Sequence, residues 1–259
     1  MNKPSYEYYG MLADTWDLFR GDTFHSTDLS FYRDIIHQYG EPALDVGCGT
    51  GRLLLDYFQE GIDIDGVDNS PEMLTLCRQK AVKLDLTPRL YEGRMETLDL
   101  PRRYRTIIIP SSTFQLIPDL AMAEEVIGRL YRHLEHGGVL VISFQTFWKE
   151  GDSLVVEWVQ IGEITRPEDG ALLRRWWRMR FNPESQLHDL EEERFEVIHN
   201  GQVTYTEYYH RPNAYRWYTQ DQATVLFEQT GFINIQKFKG VSFEPATNDD
   251  KGFYILGQK

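Results

Sequence analysis

From residue 42 the chain alternates short apolar runs with longer amphipathic stretches. PALDV (42–46), IDIDGVD (62–68), PRLYEG (88–93), YRTIIIP (104–110) and VLVISF (139–144) have the length and residue types of buried strands. Between them, GRLLLDYFQEG (51–61), SPEMLTLCRQKAVKL (70–84) and LAMAEEVIGRLYRHLEHGG (120–138) place apolar residues at helical spacing. Gly61 stops the first of these helices, Ser70 and Pro71 suit the N-cap and first turn of the second, and Gly137–Gly138 end the third. Strands alternating with helices predict an α/β fold, a parallel sheet with helices on both faces. Ahead of it, YEYYGMLADTWDLF (6–19) and LSFYRDIIHQYG (29–40) predict two amphipathic, aromatic-rich helices.

The pattern changes after residue 150. LVVEWVQIGEI (154–164), ALLRRWWRMRF (171–181), LEEERFEVI (190–198) and VTYTEYYH (203–210) are long β-type runs separated by RPEDG, NPESQ and HNG turns. They predict an antiparallel meander inserted into the α/β unit. TQDQATVLFEQTGFINIQKF (219–238) and GFYILGQK (252–259) then add a helix and two strands that close the main sheet. The organisation expected is an N-terminal helical cap over 1–40, an α/β domain over 41–149 and 217–259, and a β-lid over 150–216.

Composition narrows the function classes. With 41% hydrophobic and 14% aromatic residues the chain can bury a full core. A net charge of −13 argues against a bulk nucleic-acid partner, whose binding needs a cationic surface. No apolar stretch reaches membrane-spanning length and MNKPSYEYYG has no apolar leader segment, so no membrane partner is expected. Cys48 and Cys77 form no disulfide framework or metal-ligand pattern and suit a reducing cytoplasm.

The chemistry concentrates in ALDVGCGTGRL (43–53), where Gly47, Gly49 and Gly51 follow the first strand. Bare backbone there lets a ligand approach closely, at the carboxyl edge of the sheet. A dinucleotide fingerprint would space its glycines GxGxxG; here the spacing is GxGxG, and Asp45 stands two residues before the first. A carboxylate in that place repels a diphosphate and attracts an ammonium. Asp68, at the end of the second strand, is placed to accept hydrogen bonds from ribose hydroxyls. One acid for an ammonium and one for a ribose describe an amino acid joined to a nucleoside, as in S-adenosylmethionine.

LDVGCGTG (44–51), GVDNSPEML (66–74) and LEHGGVLVIS (134–143) together resemble the class I S-adenosylmethionine-dependent methyltransferases, over roughly residues 30–148 and 217–259. The resemblance implies a Rossmann-like, seven-stranded, mainly parallel sheet in the order 3-2-1-4-5-7-6 with the last strand antiparallel. It implies that Gly47, Cys48 and Gly49 pass the methionyl part of S-adenosylmethionine, that Asp68 binds the ribose, that Met73 packs near the adenine, and that Asn69 belongs to the same cofactor-binding set. In YEGRMETL (91–98) Arg94 stands where the family often has an acid, which leaves the Met95 backbone and the Glu96 carboxylate to read the adenine edge. TIIIPSSTFQLI (106–117) lacks the acid-Pro-Pro-aromatic signature of base-amine methylation.

In this family the loop SSTFQL (111–116) lies beside the transferred methyl, which puts Ser111 at the methionyl end and leaves Gln115 either facing the acceptor or hydrogen-bonding the backbone of its own loop. Tyr8 and Trp16 match a segment that folds over the cofactor in relatives. They are expected as a lid, with Tyr8 and Gln115 as the catalytic candidates; the plainer alternative packs Tyr8, Leu12 and Trp16 as one helix face. In LLRRWWRMRF (172–181) alternation puts Arg174, Trp176, Arg178 and Arg180 on one face, suited to holding an acceptor, to ion pairing with the glutamates of LEEERFE, or to a homodimer contact. His188, His199 and His210 are unranked candidate bases. The expected function is methyl transfer to a nitrogen or oxygen of a small molecule. The alternatives are a cofactor-binding protein without catalysis and a methyltransferase acting on protein or RNA.

Overall fold

The computed structural model describes residues 6–21 and 28–259. Eleven strands and seven α-helices follow one another along the described chain. The main sheet is built from β1 (Ala43–Val46), β2 (Ile64–Asp68), β3 (Arg89–Glu92), β4 (Tyr104–Ile109), β5 (Leu134–Gln145), β10 (Ile233–Lys239) and β11 (Gly252–Gln258). Its order is β3-β2-β1-β4-β5-β11-β10; β1 to β5 are parallel and β11 runs antiparallel to both neighbours, the topology expected. The order reverses between β1 and β4, so their carboxyl ends open a crevice there.

The central strands are buried because both faces of the sheet are covered. On one face Ile35, Leu54 and Leu74, from α3 (Leu29–Tyr39), α4 (Leu54–Gln59) and α5 (Pro71–Lys83), pack together. On the other, Val126 and Leu130 of α6 (Leu120–His133) meet Leu226 and Phe227 of α7 (Gln220–Thr230). Ser70 caps α5 as its sequence predicts, its hydroxyl accepting from the Met73 N–H at 3.1 Å.

β6 (Val155–Thr165), β7 (Leu172–Asn182), β8 (Leu187–His199) and β9 (Gln202–Arg216) form a separate four-stranded antiparallel meander, with β9 running on past the VTYTEYYH segment. The first helices bridge this meander and the main sheet. Met11 and Leu12 pack with Leu173, Phe195 and Tyr209 of the meander. The Tyr8 carbonyl accepts from the Ser70 hydroxyl at 2.5 Å, and Asp17 pairs with Lys80 at 2.6 Å.

Two expectations about helices are corrected. Residues 6–19 do not form one helix: α1 (Gly10–Asp14) and α2 (Trp16–Arg20) are short and separate, and Tyr8 lies ahead of both. Tertiary contacts decide this. The Met11 and Leu12 amides are taken by Glu207 at 3.4 Å and the Tyr209 hydroxyl at 3.0 Å, while the Thr15 hydroxyl bonds back to the Met11 carbonyl at 2.6 Å. Tyr8, Leu12 and Trp16 therefore share no helix face. Similarly, α6 stops at His133 rather than at Gly137–Gly138, because Lys259 donates to the carbonyls of Tyr131 and Leu134, both at 2.9 Å, and β5 begins there. The cap expected over 1–40 also includes residues 1–5 and 22–27, which lie outside the described residues. No described helix is long and apolar enough to cross a membrane.

Candidate active site

The glycine turn is held open by main-chain bonds from Gly47 and Cys48 to the Val67 carbonyl, at 2.8 and 3.1 Å. Gly47 has φ +74° and a Cβ there would lie 2.4 Å from the Thr113 methyl, so only glycine fits. Gly49 has φ +54°, and a Cβ on it would meet no protein atom within 4 Å. Its bare backbone borders a cavity of about 210 Å³ at the carboxyl ends of β1 and β2.

Asp45 lines this cavity and is 1% exposed; its Oδ1 has no hydrogen-bond partner. Burial pushes its carboxyl up to about 7, against the opposing pull of Arg52. Asp68 accepts from the Gly49 and Ser70 amides, both at 2.8 Å. Those bonds use one lone pair on each oxygen and leave capacity for further donors. Burial raises its carboxyl as well.

Every residue assigned to the cofactor from the sequence borders this one cavity. Asp45, Gly47, Cys48 and Gly49 line it from β1 and the glycine turn, and Asp68, Asn69 and Met73 from the end of β2 and the start of α5. Met95, Glu96, Ser111, Tyr8 and Trp16 line it as well. Glu96 accepts from Arg94 at 3.0 Å, and Asn69 donates to Glu7 at 3.0 Å. The Tyr8 and Trp16 rings meet edge-on at 4.8 Å.

Gln115 is corrected. It is wholly buried and turned away from the cavity: its Nε2 donates to the Gln145 and Arg216 carbonyls at 3.0 and 2.9 Å, and its Oε1 accepts from the Gln145 amide at 2.7 Å. The side chain ties the ends of β5 and β9 to the loop after β4; both amide hydrogens are used there, and Gln115 borders neither this cavity nor the one beneath the four-stranded sheet.

A second cavity, of about 420 Å³, lies under the four-stranded sheet. Tyr8, Trp16, Ser111 and Tyr215 border both cavities, so the two meet there. Tyr8 and Tyr215 both stand at this boundary, and burial raises both phenols above their ordinary range. Of the readings open for the β7 face carrying Arg174, ion pairing is the one the structure shows, and the cavity lies on the opposite face. Arg175, Trp177, Met179 and Phe181 face this cavity. Arg174 pairs with Glu163 at 2.6 Å, Arg180 with Asp189 at 2.8 Å, and Arg178 with Glu192. Trp176 donates to Glu196 at 3.0 Å, so the face carrying Arg174 is ion-paired surface.

Sequence reasoning missed Arg20, Arg211 and Tyr215. Arg20 stacks 3.9 Å over Trp16 beside the first cavity, and burial pushes its guanidinium down to about 10. Arg211 and Tyr215 come from β9, where the alternation alone does not say which face meets the first domain. Of the three histidines, only His188 borders either cavity.

A model of a methyltransferase domain matches residues 43–138. The chain is 30% identical over 172 residues to the dTDP-3-amino-3,4,6-trideoxy-alpha-D-glucopyranose N,N-dimethyltransferase of Streptomyces venezuelae, covering 63% of this chain and 67% of that protein. It is 23% identical over 145 residues to the glycine/sarcosine N-methyltransferase of Aphanothece halophytica, covering 54% of this chain and 55% of that one. The chain thus spans about half to two thirds of the curated relatives it matches. Among solved structures, an S-adenosylmethionine-dependent methyltransferase from Clostridium acetobutylicum superposes with a TM-score of 0.74 at 19% identity, over 92% of this chain and 93% of that one. DesVI of Streptomyces venezuelae superposes at 0.72 and 21% identity, over 96% and 99%. With the sheet order, the glycine turn and this kinship agreeing, the chain belongs to the class I S-adenosylmethionine-dependent methyltransferase family.

Proposed function

We propose that the protein methylates an uncharged amine nitrogen on a small molecule lodged beneath the four-stranded sheet. The observation that carries this reading is the meeting of the two cavities at Tyr8, Trp16, Ser111 and Tyr215. A methyl donor in the first and an acceptor in the second would face each other across that boundary. The N,N-dimethyltransferase and the glycine/sarcosine N-methyltransferase among its relatives favour nitrogen over oxygen.

The first cavity suits S-adenosylmethionine. The unpartnered Oδ1 of Asp45 would take the ammonium, Asp68 the ribose hydroxyls, and the open backbone at Gly49 the methionyl chain. Met73 and Met95 would flank the adenine, with Asn69 and Glu96 at its edge. When bound, this cofactor supplies an electrophilic methyl on a sulfonium sulfur. The ring faces of Tyr8 and Trp16 are favourable neighbours for such a cation. Tyr8 and Tyr215 stay protonated at the boundary, and their hydroxyls position the acceptor nitrogen by hydrogen bonding. A neutral amine needs no base before transfer, because its lone pair is the nucleophile and its proton leaves afterwards. The protein's work is then alignment and exclusion of water.

Release of S-adenosylhomocysteine over a panel containing a dTDP-3-amino sugar, glycine, sarcosine and matched alcohols tests the reading. Turnover of an amine with none of the alcohols is expected. Turnover confined to alcohols would contradict it.

A further inference from the structure

The second cavity is bordered by buried polar groups whose hydrogen bonding the protein leaves incomplete. Arg211 bonds Glu193 at 2.6 Å, and also Glu191, through a single terminal nitrogen. Its Nε and its other terminal nitrogen have no partner. His188 is 3% exposed and walled by Phe147 and Phe181, with ring centroids 4.5 and 4.7 Å away. Neither of its ring nitrogens has a partner, and Nδ1 lies 3.6 Å from the nearest Glu191 oxygen, beyond hydrogen-bond length. Buried polar atoms are nearly always satisfied in folded proteins, so four unmet nitrogens beside one cavity call for a reason.

The charges nearby restrict what that reason is. Arg175 bonds Glu193 at 2.6 Å, so two arginines stand against two glutamates and the cluster is neutral overall. A neutral cluster with unmet donors suits uncharged oxygens better than a phosphate or an ammonium. Arg211 can only donate; His188 can donate from one nitrogen and accept at the other. Trp177, Phe181 and Met179 supply flat apolar walls to the same cavity. The four nitrogens are covered by protein atoms in this conformation. For an oxygen-bearing guest to bond them, the imidazole and guanidinium would have to turn toward the cavity that both border.

Building on the methyltransferase reading above, we propose that His188 and Arg211 form the specificity pair for the acceptor. They hydrogen-bond hydroxyl or carbonyl oxygens on an uncharged ring seated against Trp177 and Phe181, and so select oxygen-substituted cyclic amines over apolar ones. They act on binding of the acceptor and not on the cofactor.

The test compares the wild type with His188→Phe and Arg211→Lys, using methyl 3-amino-3-deoxyglucopyranoside and cyclohexylamine as probes. Four quantities are read: kcat and KM for each amine, S-adenosylmethionine affinity by calorimetry, and thermal midpoint. The wild type should prefer the glycoside, and His188→Phe should reduce that preference roughly tenfold or more through KM. Arg211→Lys should keep part of the preference, since it retains the charge but not the forked donors. His188→Phe should melt no lower than the wild type, because it removes two unmet nitrogens and keeps the ring. Failure of the wild type to turn over the glycoside, equal turnover of the two amines, or a preference unchanged in both variants would overturn the proposal. So would a His188→Phe protein that melts well below the wild type, which would make the histidine a structural group. A wild type that binds no S-adenosylmethionine would overturn the underlying methyltransferase reading as well.

Discussion

Replacing Asp45 by asparagine should separate stability from binding, and in opposite directions. The carboxyl is buried, has one unpartnered oxygen and titrates near 7 in the folded protein. In the unfolded chain it titrates near 4. Between those values the native state holds a proton that the unfolded chain has lost, so stability falls as pH rises from about 4 through about 7. A shift of roughly three units corresponds to a loss of up to about 4 kcal/mol above pH 7. Asp45→Asn does not titrate and escapes that loss, so without ligand it should melt higher than the wild type at pH 7.5. Binding reverses the order. A charge-assisted bond to the cofactor ammonium contributes about 1.5–3 kcal/mol, so the variant should bind S-adenosylmethionine roughly 10- to 150-fold more weakly. In the wild type only the ionised acid binds an ammonium well, so affinity should rise about eightfold from pH 6 to pH 7.5. Calorimetry at both pH values, with thermal melts of the ligand-free proteins, reads all three effects. Asparagine binding within threefold of the wild type, or a wild-type affinity flat across that range, would refute the assignment of Asp45.

Three further outcomes are expected. Tyr8→Phe removes one of the two phenol hydroxyls at the cavity boundary and should lower kcat more than it weakens S-adenosylmethionine binding; equal turnover by the two proteins would rule out a positioning role. Gln115→Leu breaks three buried hydrogen bonds and should cost about 2–4 kcal/mol of stability while leaving cofactor affinity unchanged, measured by denaturant unfolding and calorimetry. Arg174→Ala should leave the acceptor KM within about twofold of the wild type, whereas Arg175→Ala, on the cavity face, should raise it several-fold; similar KM values for both would mean that the acceptor lies elsewhere.

What was legible in the sequence depended on local information. The Rossmann-like half could be read because each strand, its glycine turn and the Ser70 cap are decided by neighbours a few residues apart. The cofactor acids followed from the same short range, since Asp45 stands one residue before the end of β1 and Asp68 ends the adjacent parallel strand β2. Gln115 was misread because its partners lie 30 and 101 residues away, at the ends of β5 and β9. The arginine face of β7 was left open between ion pairing and acceptor binding for a related reason. Alternation sorts residues into two faces, but only the docking of the meander onto the first domain decides which is inside. The break between α1 and α2 belongs to the same class, as Glu207 and Tyr209 bond to the start of α1 from nearly 200 residues downstream.

The central claim is that the glycine turn, with Asp45 and Asp68, holds an aminoacyl nucleoside and not a dinucleotide. Parallel calorimetric titration of the purified protein with S-adenosylmethionine, S-adenosylhomocysteine and NAD⁺ tests it most directly. The account predicts saturable one-to-one binding of the first two and none of NAD⁺. Binding of NAD⁺ alone, or of none of the three, would contradict it and remove the basis for placing an acceptor in the neighbouring cavity.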